Sequence, residues 1–233
     1  MSNDRSVLSN DRVSRLLGPL GLTSVVAFII GFVILGSTSP PGKNASARDV
    51  VSFYQAHSTR ETWSLYVVAV GVVLIAFFVG ALRGVLRKAN ASHSWLADTA
   101  FAGGVLFIAG FSTAGFLQWT LISASHNGQV QLAGNLNFLS QSVMLPAQAG
   151  LVVLAAAAGL AILLGSDLPA WLGYTALAIG VVSAIGPIGF IAIVATPLWM
   201  TVLGFVVGAK AAPHPVGEPR RVVRHRMTLR HHH

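Results

Sequence analysis

Long apolar runs alternate along the chain with short polar interruptions, and the runs predict its architecture. A helix needs about 20 apolar residues to cross roughly 30 Å of hydrocarbon at 1.5 Å per residue. Six stretches meet that length: 16–35, 63–82, 99–122, 145–164, 168–186 and 189–209. The last two come from one uncharged run of 42 residues, too long for a single span. Gly186-Pro187-Ile188-Gly189 is the predicted fold-back, because proline removes a backbone donor and glycine permits a tight turn. Thr196-Pro197 is a competing break, and a re-entrant segment between the two prolines is the alternative to a simple turn. The first run is longer than the roughly 7–15 residues of a cleavable signal core and reads as a retained span. The expected fold is therefore all-α: a polytopic six-helix transmembrane bundle over 16–209, with an N-terminal segment 1–15 and a basic tail 210–233.

Two of the interruptions have helical patterns of their own. Ser46-Ala47-Arg48-Asp49 reads as a capping box, in which the serine and the acid satisfy backbone donors at a helix start. Val50, Phe53, Tyr54 and His57 follow at i, i+3, i+4 and i+7, one mostly apolar face on a short helix lying on the membrane surface or the bundle mouth. The segment 123–142 carries no charge but is dense in amides, with Asn127, Gln129, Gln131, Asn135, Asn137 and Gln141. Leu132, Leu136 and Leu139 are spaced for a second helix, expected to continue into the fourth span.

Composition sharpens this picture. Apolar residues make up 54% of the chain and charged residues 9%, where soluble domains carry roughly 25% charged, so an ordinary soluble domain is excluded. The net charge of +8 would suggest nucleic acid on a soluble protein. Here the charges sit at the ends and in short loops, and no nucleic-acid partner is expected. The chain has no cysteine, which removes disulfides, thiolate chemistry, iron–sulfur clusters and Cys-ligated zinc. Basic residues also set the expected orientation. The termini and the loop after the second span carry twelve Lys and Arg, while the alternate loops carry Lys43, Arg48 and Arg60. Both termini are thus expected in the cytoplasm of a bacterial plasma membrane, with 37–61 and 123–142 outside. Trp63, Trp95, Trp119 and Trp171 fall near predicted span ends, where amphipathic rings rest at the headgroups. Trp199 falls mid-span, so its indole N–H needs a partner inside the bundle or access to water.

Three pieces of the chain, 45–57, Gly80-Ala81-Leu82-Arg83 and Asp167-Leu168-Pro169-Ala170-Trp171-Leu172-Gly173-Tyr174, resemble a group of small six-span membrane proteins of high-GC actinobacteria. The pieces cover about a tenth of the chain, and their spacing extends the likeness over most of it. Ala170 departs from the basic residue usual between the proline and the tryptophan of the last piece. The resemblance implies the fold and the membrane, and no activity.

Candidate chemistry is sparse. The predicted spans hold no histidine for haem ligation and no lysine for a Schiff base, and they lack the Asp, Glu and Arg chains of proton relays. No catalytic group, metal site or cofactor is read. Asp98 opens the third span and is expected to pair with Arg83 or Arg87 at a helix start; a proton-acceptor or ion-ligand role is the alternative. His57 and His126 lie on the two external segments, but two histidines lack the third ligand of a catalytic zinc. His231, His232 and His233 have the form of a tag remnant and are set aside. Ser112, Thr113, Gln118 and Gln148 are polar positions within spans. Two readings stand: interhelical hydrogen-bonding glue, or an outward-facing pocket roofed by the external segments, lined by Tyr54, Gln118, Trp119, Gln141 and Gln148, that takes a lipid headgroup or small amphiphile. Gly80 with Gly84, Gly204 with Gly208, and Ala155 with Gly159 are small-residue pairs suited to close helix packing or dimerisation. The expectation is a non-enzymatic membrane protein that binds a lipid-like or small amphipathic ligand from outside, or an accessory subunit. Its partners would be membrane lipids and either a second copy or a partner protein. A pore or facilitator is the second reading and a membrane-embedded enzyme the third.

Overall fold

A computed structural model describes residues 4–36, 39–185 and 189–210 of the chain. Seven α-helices follow in order: α1 (Asp4–Gly36), α2 (Ala47–Ala89), α3 (Ser94–His126), α4 (Val130–Ser140), α5 (Met144–Leu163), α6 (Ala170–Ala184) and α7 (Gly189–Lys210). No strand occurs among the described residues. Five helical stretches, Leu16–Ile34, Ala47–Ala89, Ala91–His126, Val130–Leu163 and Ile191–Lys210, are long and apolar enough to cross a membrane. The chain is a membrane protein of the helical-bundle type. All helices but the short α4 form a closed ring in the order α1, α2, α3, α5, α6, α7 and back to α1. The eleven-residue α4 lies across one end of the ring, against α2 and α3.

Several expected boundaries are corrected. The external helix that the capping box opens is not a separate surface helix. Ser46 does cap it, with its Oγ accepting from the Asp49 N–H at 3.2 Å, but the helix runs unbroken for 43 residues to Ala89. No glycine or proline lies between Ala47 and Gly71 to end it, and helices stop at such residues rather than at polar ones. Its face of Val50, Val51 and Tyr54 is buried against Leu121, Ile122, Ala133 and Leu136, a small second core between α2, α3 and α4. The amide-rich helix ends at Ser140, and a turn at 141–143 separates it from α5. The fifth predicted span is shorter than expected: α6 has 15 residues, about 22 Å at 1.5 Å per residue, because Pro169 caps its start. Pro197 lies inside α7 and does not break it. Thr196, Met200 and Leu203 are buried on both sides of that proline, so packing holds the helix together across the missing donor. Residues 186–188 of the predicted fold-back, and the tail beyond Lys210, lie outside the described residues.

The ring closes through bare backbone at a few glycines. A Cβ at Gly103 would stand 2.4 Å from the Leu154 N, and one at Gly150 would stand 2.3 Å from the Phe107 N, so α3 and α5 touch along their main chains. Gly204 meets Gly18 across α7 and α1, and Gly159 meets the Gly173 carbonyl across α5 and α6. Gly80 and Gly84, by contrast, are exposed and have nothing within 4 Å of an added Cβ. The ring interior is filled rather than open. Phe78, Phe107, Ile75, Leu151 and Leu154 are buried at its centre. The Trp199 indole, the mid-span aromatic, donates to the Leu172 carbonyl at 3.0 Å. At the ring end opposite α4, Arg83 Nε stands 2.8 Å from the Asp98 carboxylate and Arg87 Nε 3.9 Å. The Lys210 ammonium caps the Asp167 carbonyl there.

Candidate functional site

A cavity opens at the end of the ring covered by α4. A chamber of about 360 Å³ lies there. Phe32 of α1, Ser64, Leu65 and Val68 of α2, and Phe111, Ala114 and Gly115 of α3 form its walls. Met144 and Ile193 complete the lining. Its floor is aromatic. Phe111 meets Phe28 with ring centroids 5.6 Å apart and Phe107 at 4.9 Å, above the buried apolar centre of the ring.

The roof is a strap of chain, Pro40-Pro41-Gly42, tied to α4 by two amides. Asn137 Nδ2 donates to the Gly42 carbonyl at 3.1 Å and Gln141 Nε2 to the Pro41 carbonyl at 3.0 Å. Two prolines preset the strap as extended chain, so its carbonyls lie outside any helix and take side-chain donors, with the Gly42 carbonyl also accepting from the Ala45 N–H at 3.0 Å. The Lys43 ammonium lies 4.4 Å from the Phe138 ring centre and fastens the strap at its far side.

The polar wall faces this roof. Gln118 Nε2 donates to the Tyr54 hydroxyl at 2.9 Å, a bond between α3 and the N-terminal extension of α2. Ser64 Oγ donates to the Gly31 carbonyl at 3.0 Å, and Arg60 Nε to the Ile34 carbonyl at 2.9 Å, which ties the end of α1 to α2. No Lys, Arg, His, Asp or Glu side chain lines the chamber among the described residues. Among the same residues no group of three His, Cys, Asp or Glu is placed to hold a metal ion. His57 stacks on Phe53 and its Nδ1 stands 2.9 Å from the Phe53 carbonyl, while His126 is exposed at the end of α3.

Of the residues proposed from sequence, Tyr54, Gln118 and Gln141 come together around the chamber. Trp119 does not line it. It points to the outer face of the ring, where its ring meets Tyr66 at 5.8 Å and lines a separate groove between α2 and α3. Gln148 is half-buried on α5, one turn below Met144, and is not part of the chamber wall. Ser112 and Thr113 are exposed on α3, and Thr113 donates to the Ala109 carbonyl of its own helix. Sequence reasoning missed Ser64 and Phe111 as lining residues and took Glu61 for part of an external loop. Glu61 is fully buried in α2. Tyr54, Glu61, Leu65 and Val68 are spaced i, i+7, i+11 and i+14, one stripe of a continuous helix. That stripe is legible only when α2 is read as unbroken from residue 47.

The fold and this site define a multi-helix membrane protein with a chamber at one end of the ring, mostly apolar and carrying uncharged hydrogen-bonding groups. Comparison with protein-family models, with curated proteins and with solved structures finds no match.

Proposed function

We propose that this chain is a non-enzymatic multi-pass membrane protein that holds a lipid-like or small amphipathic molecule in the chamber under α4, open toward the outer side of a bacterial cytoplasmic membrane. The observation that supports this reading is the chamber's dead end: uncharged polar groups near the strap above an apolar floor that includes Phe32 and Phe111, with Phe28 and Phe107 packed behind Phe111. Such a cavity suits one amphiphile, polar end toward the strap and apolar end toward the rings. A pore would need polar lining through the ring centre, where Phe78, Phe107, Ile75 and Leu154 lie instead.

The test is the pair Tyr54→Phe with Gln118→Leu. Removing both partners of one hydrogen bond leaves no orphaned group, so the fold should be nearly unaffected. Native mass spectrometry of protein purified in mild detergent should show a retained amphiphile on the wild type and about ten-fold less on the double variant, a loss of about 1.4 kcal/mol of binding. Equal retention by both proteins would reduce the Tyr54–Gln118 pair to helix glue and overturn the reading.

The orientation is part of the proposal, and it rests on the twelve-to-three distribution of basic residues. Because the chain has no cysteine, single cysteines need no altered background. Cysteines placed by Thr59→Cys and Asn127→Cys, both at exposed positions of the α4 end, should react with an impermeant maleimide in intact cells. One placed by Ser92→Cys, exposed at the opposite end, should react only after lysis. The reverse pattern would put the chamber on the cytoplasmic side.

A further inference from the structure

The chamber has a neighbour. A groove of about 590 Å³ runs down the outer face of the ring between α2 and α3. Leu65, Val68, Phe111 and Gly115 belong to the linings of both cavities, so a wall one residue thick separates the chamber from the ring's exterior. At Gly115 that wall has no side chain, and an added Cβ would meet nothing within 4 Å. Both spaces are mostly apolar, and the chamber holds more of the hydrogen-bonding side chains. The groove is lined by Ala69, Val72, Val73 and Phe116, with Ser112 near its lower end, while the chamber carries Tyr54, Ser64, Gln118, Asn137, Ser140 and Gln141.

Two observations say what fits the groove. Trp63, Tyr66 and Trp119 form an exposed aromatic chain at its upper end, with centroids 6.2 and 5.8 Å apart, the placement of rings at a membrane–water interface. From Leu65 to Val73 the groove follows about 12 Å of α2 at 1.5 Å per residue, close to the roughly 15 Å of one leaflet's hydrocarbon. An acyl chain matches both.

The chamber's hydrogen-bonding groups in turn say what head fits. One N–H of each amide is already taken: Gln118 by Tyr54, Asn137 by Gly42 and Gln141 by Pro41. The hydroxyls of Ser64 and Ser140 donate to main-chain carbonyls. Each of these amides keeps a second N–H and its oxygen, and the hydroxyls keep lone pairs, so the lining offers both donors and acceptors with no charge. A phosphate or carboxylate would bury its charge with no cation in the lining. A head bearing several hydroxyl groups is matched.

We propose that the groove and the chamber form one site for a lipid with an uncharged, hydroxyl-bearing head, which enters sideways from the leaflet between α2 and α3 past Gly115. This rests on the chamber being a ligand site. The chain of the lipid lies along Val72 and Val73, its glyceryl or sugar-like head reaches Gln118 and Asn137, and the strap closes the chamber from above.

The probe is a monoacylglycerol with a mid-chain diazirine, photo-crosslinked to the full-length protein in nanodiscs and mapped by peptide mass spectrometry. Labelling should concentrate on the α2 and α3 peptides holding Ala69, Val73 and Phe116, and excess monoolein should compete it away. Gly115→Leu, which fills the open wall, should lower competed labelling at least five-fold. Ala69→Trp fills the groove from an exposed position on α2 and should do the same, which keeps the test decisive should the first variant fold poorly. The same chain bearing a phosphate head should label several-fold more weakly. Competed labelling confined to the strap and α4, and indifferent to both variants, would leave the chamber as a site and overturn the sideways route. Equal labelling by the phosphate probe would overturn the head chemistry. No competed labelling anywhere would remove both this inference and the chamber reading beneath it.

Discussion

Gly150→Val is expected to destroy the ring. In the native protein an added Cβ at residue 150 would already lie 2.3 Å from the Phe107 N, 2.7 Å from the Gly103 carbonyl oxygen and 2.8 Å from the Leu106 carbonyl carbon. All three are main-chain atoms of α3, so no side chain can turn aside and the two helices must separate. Overpacking a core costs up to about 3 kcal/mol where side chains can shift, and here backbone must move. Separation of α3 from α5 also loosens the apolar layer of Phe107, Leu151 and Leu154. At about 2–4 °C per kcal/mol for a chain of this size, the apparent Tm in detergent should fall by about 10 °C, with aggregation on size exclusion. Gly80→Ala is the matched control. It adds a methyl to the same kind of helix where nothing lies within 4 Å, and should gain up to about 1 kcal/mol from helix propensity alone. Equal behaviour of the two variants would mean that α3 and α5 are not in main-chain contact.

Phe111→Ala should be the second most damaging change. Phe111 is 6% exposed and meets rings from two sides, Phe28 of α1 and Phe107 of its own helix. Truncating such a residue costs about 3–5 kcal/mol, part of it for the cavity left behind. The chamber and the α2/α3 groove both border Phe111, so the variant merges them and widens the space above the floor. It should still not open a passage through the protein, because Phe78, Ile75, Leu151 and Leu154 remain buried beneath. Proteoliposomes carrying the wild type or Phe111→Ala should show no ion flux above lipid alone, while thermal stability drops by about 10 °C. Ion flux through the wild type would reverse the argument and favour a pore.

How much of this was legible beforehand depends on the range of the interaction concerned. The capping box at Ser46 and Asp49 was readable because its parts lie three residues apart and act within one turn. The pairing of Asp98 with Arg83 was readable because two ring neighbours joined by a short loop bring those positions together. Gln118 called for a partner because an amide in an apolar helix must find one, and Tyr54 supplies it from 64 residues away. The small-residue pairs were legible in kind but not in use. Gly204 and Gly159 mark close contacts, Gly80 and Gly84 mark none, and the tightest approaches, Gly150 to Phe107 and Gly103 to Leu154, fall at glycines outside those pairs.

The sequence by itself determined the class of this protein: helical and membrane-embedded. Those are properties of single segments, set by transfer of each side chain and peptide group from water to hydrocarbon. Tertiary structure decided which helices are neighbours and which face of each looks inward. That choice turned Trp119 to the exterior and left Gln148 out of the chamber. It also set the two amides of α4 on the carbonyls of a proline strap nearly a hundred residues earlier in the chain. In an apolar helix of low amphipathicity, periodicity cannot tell lipid from core, since both are oil. Only the close approach of particular backbones, set by where a Cβ is missing, distinguishes the faces and with them the site.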